Sequence, residues 1–402
     1  MHWRKRFSTC LVSVLICVTL LLYLYRGFLL SSGDILIRAL HIPMNEPATK
    51  TPLLHVSNLG NQSSPRNDSA IIALVRTEEL EGMIYSMRQM EENFNAKFGY
   101  PWIFFNDQPF TEEFKRRTRL ETRAPCLYEQ IPSEHWDIPG SVDADKLTKH
   151  ILDMKSRGVK HASDLSYHQM CRWYSGFFYK HPALAHVRYY WRVEPWIKLF
   201  CPIEYDVFQY LSDNDKVYGF TINIYDDPHT LPSLWPETLD FIAQNPHHLG
   251  RRNAWKWLTD STHRPEVNRR ANGFSTCHFW SNFEIADLDF WRGDAYDSYF
   301  RHLDRANGFF YERWGDAPVH SIGVGLFENI SRIHWFRDIG YQHTVYANCP
   351  DSDRCNGCEP NKFAPVAFWL NQEDCRVNWL DQVCQDSAME HGYLCPERKR
   401  DQ

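Results

Sequence analysis

Two periods alternate along the middle of the chain. Ala70-Ile-Ile-Ala-Leu-Val75 is a short apolar run ending at Arg76; residues 78–98 then carry apolar side chains at helical spacing, and Pro101-Trp-Ile-Phe-Phe105 is a second apolar run closed by Asn106-Asp107. Runs of that length bounded by turn residues suit buried strands, and strand, helix, strand within about thirty residues predicts a parallel βαβ unit. The alternation recurs downstream. Ser166-x-x-Gln169 has the form of a capping box, so a helix is predicted from Ser166, with Tyr167 in its first turn and Pro182 stopping it after Lys180-His181. Residues 189–193 and 217–224 are predicted strands, with residues 206–213 helical between them. Asp316 is placed to cap a helix with Pro318 in its opening turn, and residues 332–336 form a strand leading into Asp338-Ile-Gly-Tyr-Gln-His343. Strands alternating with helices predict an α/β domain whose ligand site lies beyond the carboxyl ends of the strands.

The N-terminus adds a location. Residues 7–25 carry no charge, a run close to the roughly 20 residues that cross a bilayer as a helix, with Arg4, Lys5 and Arg6 before it and Arg26 after it. The positive-inside bias keeps residues 1–6 cytosolic and sends the remaining chain into the lumen. No small-residue cleavage pattern follows Tyr25, which favours an uncleaved anchor over a signal peptide. Residues 26–69, with Pro43, Pro47, Pro52 and Pro65 among polar residues, read as a lumenal stem, and residues 70–402 as the lumenal domain. Cys10 and Cys17 lie in the span; the other ten of the 12 cysteines are lumenal, an even number suited to disulfides. Cys355-x-x-Cys358 beside Cys349 has zinc-like spacing but no second pair at a finger distance, so disulfides are expected there too. Asn61, Asn67 and Asn329 stand in N-glycosylation sequons, usable on the lumenal side. A net charge of -6, with no dense basic run beyond the N-terminal tail, excludes nucleic acid as a partner.

Candidate chemistry concentrates between Cys277 and His320. Glu284, flanked by Phe279, Trp280, Phe283 and Ile285, is expected to be partly desolvated, which costs stability unless it serves chemistry. Aromatic faces beside isolated carboxylates, amides and histidines suit a pyranose ring, so carbohydrate is the first substrate class. Glu194-Pro195 closes a predicted strand, and the proline ends pairing so that the carboxylate can face the crevice. A hard divalent cation on a diphosphate takes one or two protein ligands; Glu194 suits one of them, with a surface ion pair as its alternative. Arg76, at the end of the first strand, can meet a nucleotide or simply be solvated. Phe310, Tyr311 and Trp314 read as core or as a sugar platform, Asp316 as an N-cap or a partner for an acceptor hydroxyl, and His320 carries no role.

Seven segments then resemble a known family. Ser166-Tyr-His-Gln-Met-Cys-Arg172, Ser175-Gly-Phe-Phe178, Tyr189-Tyr-Trp-Arg-Val-Glu-Pro195, Tyr218-Gly-Phe-Thr-Ile222, His278-Phe-Trp-Ser-Asn-Phe-Glu-Ile-Ala286, Phe309-Phe-Tyr-Glu-Arg-Trp-Gly-Asp-Ala-Pro-Val-His-Ser321 and Asp338-Ile-Gly-Tyr341 closely resemble the fungal Golgi α-1,2-mannosyltransferases of glycosyltransferase family 15. The likeness runs in order from about Ala70 to Pro350. It implies a GT-A-like nucleotide-sugar-binding fold with a mixed, mainly parallel central sheet, behind an N-terminal transmembrane helix. The implied reaction is transfer of mannose from GDP-mannose to a mannose of an N- or O-linked glycoprotein acceptor, with retention and with Mn2+, in the Golgi. By matching motifs, Glu284 is the family's proposed nucleophile and Tyr167 lies near the reaction centre. His343 falls at the metal-binding histidine, and Glu194 at the Val-Glu-Pro carboxylate that replaces an Asp-x-Asp signature. Many members have a second carboxylate after that proline, where this chain has Trp196.

An α-linked donor and an α-linked product require two inversions or attack on the leaving-group face. The first route makes Glu284 a nucleophile, ionised with help from Asn282 or a nearby cation; in the second, GDP deprotonates the acceptor and Glu284 steadies an oxocarbenium-like state. Imidazole among oxygen ligands suits manganese, with His343 neutral. Two other readings stay open: a retaining glycosidase with paired carboxyl groups about 5 Å apart, and a non-catalytic mannose-binding protein.

Overall fold

The computed structural model describes residues 66–384. The predicted cytosolic tail (1–6), the anchor (7–25) and nearly all of the stem (26–69) lie outside the described residues, among which no helix is long and apolar enough to cross a membrane.

The first βαβ unit forms as the apolar pattern requires. β1 (Ser69–Leu74) leads through a 3-10 turn into α1 (Leu80–Met90), which runs on through a π turn and a last helical turn to Gly99, whose φ of 71° ends it in the left-handed region. β2 (Trp102–Asn106) then returns parallel to β1, with Ile71 opposite Trp102 and Leu74 opposite Phe105. β3 (Cys126–Gln130), β4 (Tyr189–Arg192), β5 (Lys198–Leu199), β6 (Tyr218–Phe220), β7 (Asn223–Tyr225), β8 (Cys277–Phe279), β9 (Glu284–Asp287), β10 (Ile333–Trp335), β11 (Tyr341–His343) and β12 (Tyr346–Asn348) follow. Seven of them make a sheet ordered β10-β6-β9-β4-β1-β2-β3. Every pairing in it is parallel except those of β9, which runs against both β4 and β6. The result is the mixed, mainly parallel sheet expected.

Both faces of this sheet are covered, which is why its strands read as continuous apolar runs rather than alternating ones. Ala70 and Ile72 of β1 point to the side of Trp173 and Tyr174 on α2 (Leu165–Gly176), while Ile71 and Ala73 meet Met83 and Met87 of α1. Each such large buried side chain contributes about 1.5–3 kcal/mol. On the α2 side, α3 (Asp316–Phe327) has all 12 of its residues buried, with Asp316, His320 and Ser321 buried among the apolar ones.

Several local expectations are corrected. Residues 217–224 are two strands in two sheets: β6 joins the main sheet, and β7 pairs antiparallel with β8. The N-cap of α2 is Asp164, whose carboxylate accepts from the Tyr167 amide, while the Ser166 hydroxyl donates to that same carboxylate at 2.6 Å. The helix stops at Gly176, ahead of a 3-10 turn at Phe178–Lys180. At the start of α3 the cap position is Gly315, and Asp316 is its first residue. Cysteines pair as Cys201–Cys355, Cys277–Cys375 and Cys349–Cys358, so both thiols of the Cys355-x-x-Cys358 motif are engaged in disulfides; Cys384 is also disulfide-bonded. Cys126 and the buried Cys171 are free, so the even cysteine count does not translate into complete pairing.

Candidate active site

The strand order reverses at β1: the chain leaves it for β2 on one side and later places β4 on the other. Neighbouring loops part at such a point, opening a crevice beyond the carboxyl ends of the strands. A cavity lies there. Arg76 reaches it from the end of β1, Asn106 and Asp107 from the end of β2, Glu194 from just past β4, and Tyr167 and Tyr174 from α2. Three sequence candidates, Arg76, Tyr167 and Glu194, therefore share one cavity. Glu79 joins them, its carboxylate accepting from the Arg76 amide at 3.0 Å. Burial raises its pKa, and the nearby charge of Glu194 adds to the effect. Two carboxylates facing one cavity repel each other unless a cation stands between them.

Glu194 is not a surface ion pair. Its Oε1 accepts from Arg192 Nε at 2.7 Å, and Arg192 is buried, lies 3.5 Å from the centre of the Tyr174 ring and also pairs with Asp316. Burial works against the Arg192 charge, but Asp316 and Glu194 outweigh it and hold the guanidinium firmly protonated. Among the described residues, Glu194 Oε2 has no hydrogen-bond partner. β11 runs antiparallel to β5, with Gln342 opposite Lys198, so the next step of the ladder carries His343 back toward the Pro195 turn. His343 Nδ1 is buried without a partner. Burial lowers the imidazole's pKa while Glu194 opposes that shift, which favours the neutral ring; His343 itself is not among the residues lining the cavity. One free carboxylate oxygen and one orphaned imidazole nitrogen fit a divalent cation of borderline softness. The second carboxylate common after the proline is absent: Trp196 stands there, 59% exposed at φ 63°.

Glu284 sits elsewhere. It opens β9 opposite Arg192 and has no exposed surface, so it is fully rather than partly desolvated. Tyr190 donates to its Oε1, and Tyr218 donates to its Oε2 at 2.9 Å. His320 Nδ1 lies 2.8 Å from the same Oε2. The other His320 nitrogen, Nε2, faces the Tyr174 carbonyl at 2.9 Å and must donate to it, so the imidazole and the carboxylate share whatever proton lies between Nδ1 and Oε2. These three groups, not Asn282, satisfy the carboxylate. Glu284 is not among the residues lining the cavity, and its hydrogen-bond partners include no second carboxyl.

The chain matches the family described as glycolipid 2-alpha-mannosyltransferase over residues 38–384. It belongs to that family. A probable mannosyltransferase of Saccharomyces cerevisiae, KTR4, is 44% identical over 345 residues, 83% of this chain and 74% of that protein. The crystal structure of core-mannan synthase A (CmsA/Ktr4) from Aspergillus fumigatus, in a Mn/GDP form, shares 56% identity over 80% of this chain and 87% of that one, with a TM-score of 0.79. The structure of Ktr4p from S. cerevisiae in complex with GDP shares 42% identity over 86% and 88%, with a TM-score of 0.81.

Within this mannosyltransferase-family chain, other expectations resolve as packing. Phe310, Tyr311 and Trp314 are buried in the core. Asp316 is neither an N-cap nor an open hydroxyl partner: Arg192 and Ser281, the latter at 2.8 Å, take its carboxylate. Burial pushes its pKa up, yet Arg192 and His320 prevail and the net shift is downward. His320, left without a role by the sequence, is the partner of Glu284. Glu79, Arg192 and His320 were the residues missed; only their short-range neighbours are visible in sequence, and their partners lie across the fold. Among the described residues, the three metal-ligating side chains that come together are Glu237, Asp240 and His302, none of which lines the cavity.

Proposed function

We propose that this chain is a retaining α-1,2-mannosyltransferase that moves mannose from GDP-mannose to a mannose residue of a protein-linked glycan. The observation that carries this reading is the cavity at the β1/β4 switch point, where Arg76, Tyr167, Glu79 and Glu194 converge on a space suited to an anionic nucleotide and its counter-ion. The family's 2-alpha-mannosyltransferase description and the GDP-bound relatives support the donor and linkage, and the sheet supports a GT-A-like assignment.

Each residue has a role in the proposal. Arg76 meets the nucleotide phosphates with its planar guanidinium fork. Glu194 Oε2 and His343 Nδ1 would hold Mn2+, which when bound offsets the negative charge that builds on the β-phosphate as the glycosidic bond breaks. Tyr167 contributes a phenol beside that leaving group. Glu284 is the family's nucleophile by its motif, and in that role it would exchange three hydrogen bonds for the anomeric carbon. Its closed ring of donors favours the front-side route instead: a fixed negative charge under the sheet, with the acceptor proton passing to the departing GDP. The same enclosure weakens the glycosidase alternative, which needs two carboxyl groups working together. The anchor at residues 7–25 would hold the enzyme in the Golgi membrane with this domain in the lumen.

The test is GDP release from GDP-mannose and α-methyl mannoside, with manganese and with chelator. The proposal expects Mn2+-dependent release and an α-1,2-linked product. A protein that hydrolyses mannosides without using GDP-mannose, or binds mannose without turnover, would overturn it.

A further inference from the structure

Arg313 is a buried cation with no place in the reaction as set out above. Its backbone N–H donates a hydrogen bond to the Thr230 carbonyl at 2.9 Å, in the turn between residues 311 and 316 that leads into α3. Its Nη2 donates to Asp226 Oδ1 at 3.2 Å, and its Nη1 donates to the Tyr167 hydroxyl, also at 3.2 Å. The guanidinium carbon lies 5.5 Å from the centre of the Tyr167 ring, and His161 stacks on that ring at 4.3 Å and 8°. Tyr167 is thus held by a cap, a stack and a cation while its side chain lines the cavity.

A guanidinium has donors and no acceptor. The Tyr167 oxygen must therefore accept from Arg313, and its own proton must point elsewhere. Among the described residues, nothing accepts that proton. The Tyr167 side chain lines the cavity, which leaves its O–H for a group bound there, and the adjacent cation strengthens it as a donor. Burial raises the Tyr167 pKa well above its ordinary value, which keeps the proton on the oxygen.

We propose that Arg313, anchored by Asp226, is a positioning residue that fixes Tyr167 as a hydrogen-bond donor to the pyrophosphate oxygens of the departing nucleotide. This rests on the mannosyltransferase reading, because it takes the occupant of the cavity to be a nucleoside diphosphate. No proton is transferred in this role; Tyr167 keeps its hydrogen while charge accumulates on the oxygen it faces.

A double-mutant cycle tests it with Tyr167→Phe, Arg313→Met and the pair together, read as kcat and KM for GDP-mannose and as GDP affinity with Mn2+ by calorimetry. Loss of one preorganised donor lowers kcat by about 100-fold, so Tyr167→Phe should fall by about that factor. Arg313→Met should lose roughly 10-fold in the wild-type background and less than about 2-fold once the phenol is gone, with Arg313→Lys recovering part of the loss. Equal losses in both backgrounds, or a wild-type kcat in Arg313→Met, would overturn the proposal. If Arg313→Met does not fold, Asp226→Asn releases the same guanidinium in the same cycle. The GDP-affinity arm keeps two failures apart. Coupling in GDP affinity without any turnover counts against the reaction and leaves Arg313 in place; additive effects in GDP affinity count against Arg313.

Discussion

Glu284→Gln replaces one carboxylate oxygen by an NH2 group inside a shell of donors. If the amide nitrogen takes the Oε1 position it faces the Tyr190 hydroxyl; at Oε2 it faces Tyr218 and His320 Nδ1. A hydroxyl can turn to accept, and a neutral imidazole can present Nδ1 as an acceptor because Nε2 already donates to Tyr174. One phenolic proton is still left without an acceptor in a site with no exposed surface, at a cost of about 1–3 kcal/mol. For a domain of this size that lowers the melting midpoint by about 1.5–4.5 °C. Because Glu284 does not line the cavity, GDP affinity in Mn2+ should stay within about 2-fold of wild type, whereas transfer should fall by at least about 100-fold as the fixed charge is lost. Scanning calorimetry, GDP titration and GDP release from GDP-mannose measure the three quantities on one preparation. A folded variant that binds GDP and keeps a tenth or more of the transfer would remove Glu284 from catalysis. Glu284→Ala with azide separates the two routes: a β-mannosyl azide product would restore the nucleophile, and its absence fits front-side attack.

Three further outcomes follow from features away from the cavity. Burial, with Lys216 adding to it, pushes the His334 imidazole down to about 3, against about 6.5 in an unfolded chain. The unfolded state therefore binds the extra proton, and stability is full above the unfolded value and lost as pH falls: about 2 kcal/mol by about pH 5. His334→Phe should flatten urea-measured stability over that interval, and an unchanged slope would refute the assignment. Removing the Cys277–Cys375 disulfide by a double serine substitution frees a separation of 98 residues and should cost about 3–5 kcal/mol by denaturant unfolding; a loss below about 1 kcal/mol would mean that the pairing does not constrain the chain. Trp196→Asn keeps the left-handed turn while relieving a bulky side chain at φ 63°, and should raise the melting midpoint; a fall would show that the packing of Trp196 on Tyr85, at 5.7 Å between ring centres, outweighs the strain.

Elements defined by local periodicity were legible, and those defined by distant partners were not. The run from Ala70 to Phe105 states its own βαβ unit, and the helix expected over residues 206–213 forms as Val207–Asp213 with Asp206 as its N-cap, because both depend on neighbours in sequence. Residues 217–224 read as one strand because nothing local marks the switch after Phe220; β7 changes sheet to pair with β8, across the region tied by Cys277–Cys375. Ser166 lost the capping role to Asp164 because the helix starts two residues earlier, where the Asp164 carboxylate accepts from the Tyr167 amide. Arg76, Tyr167 and Glu194 line one cavity because strand ends and a helix start carry them to the switch point. Glu284 stood out for its aromatic neighbours, yet its true environment comes from Tyr190, Tyr218 and His320, residues 94, 66 and 36 positions away. Arg192 bridging Glu194 and Asp316 was equally hidden, since the second partner lies 124 positions on.

The most direct measurement of the central claim is an anomalous-scattering map at the manganese edge from crystals grown with GDP and Mn2+. The account predicts a peak at the Glu194 side of the switch-point cavity, within about 2.0–2.3 Å of Glu194 Oε2 and His343 Nδ1. A peak at Glu237, Asp240 and His302, or a GDP molecule bound away from Arg76 and Tyr167, would contradict it.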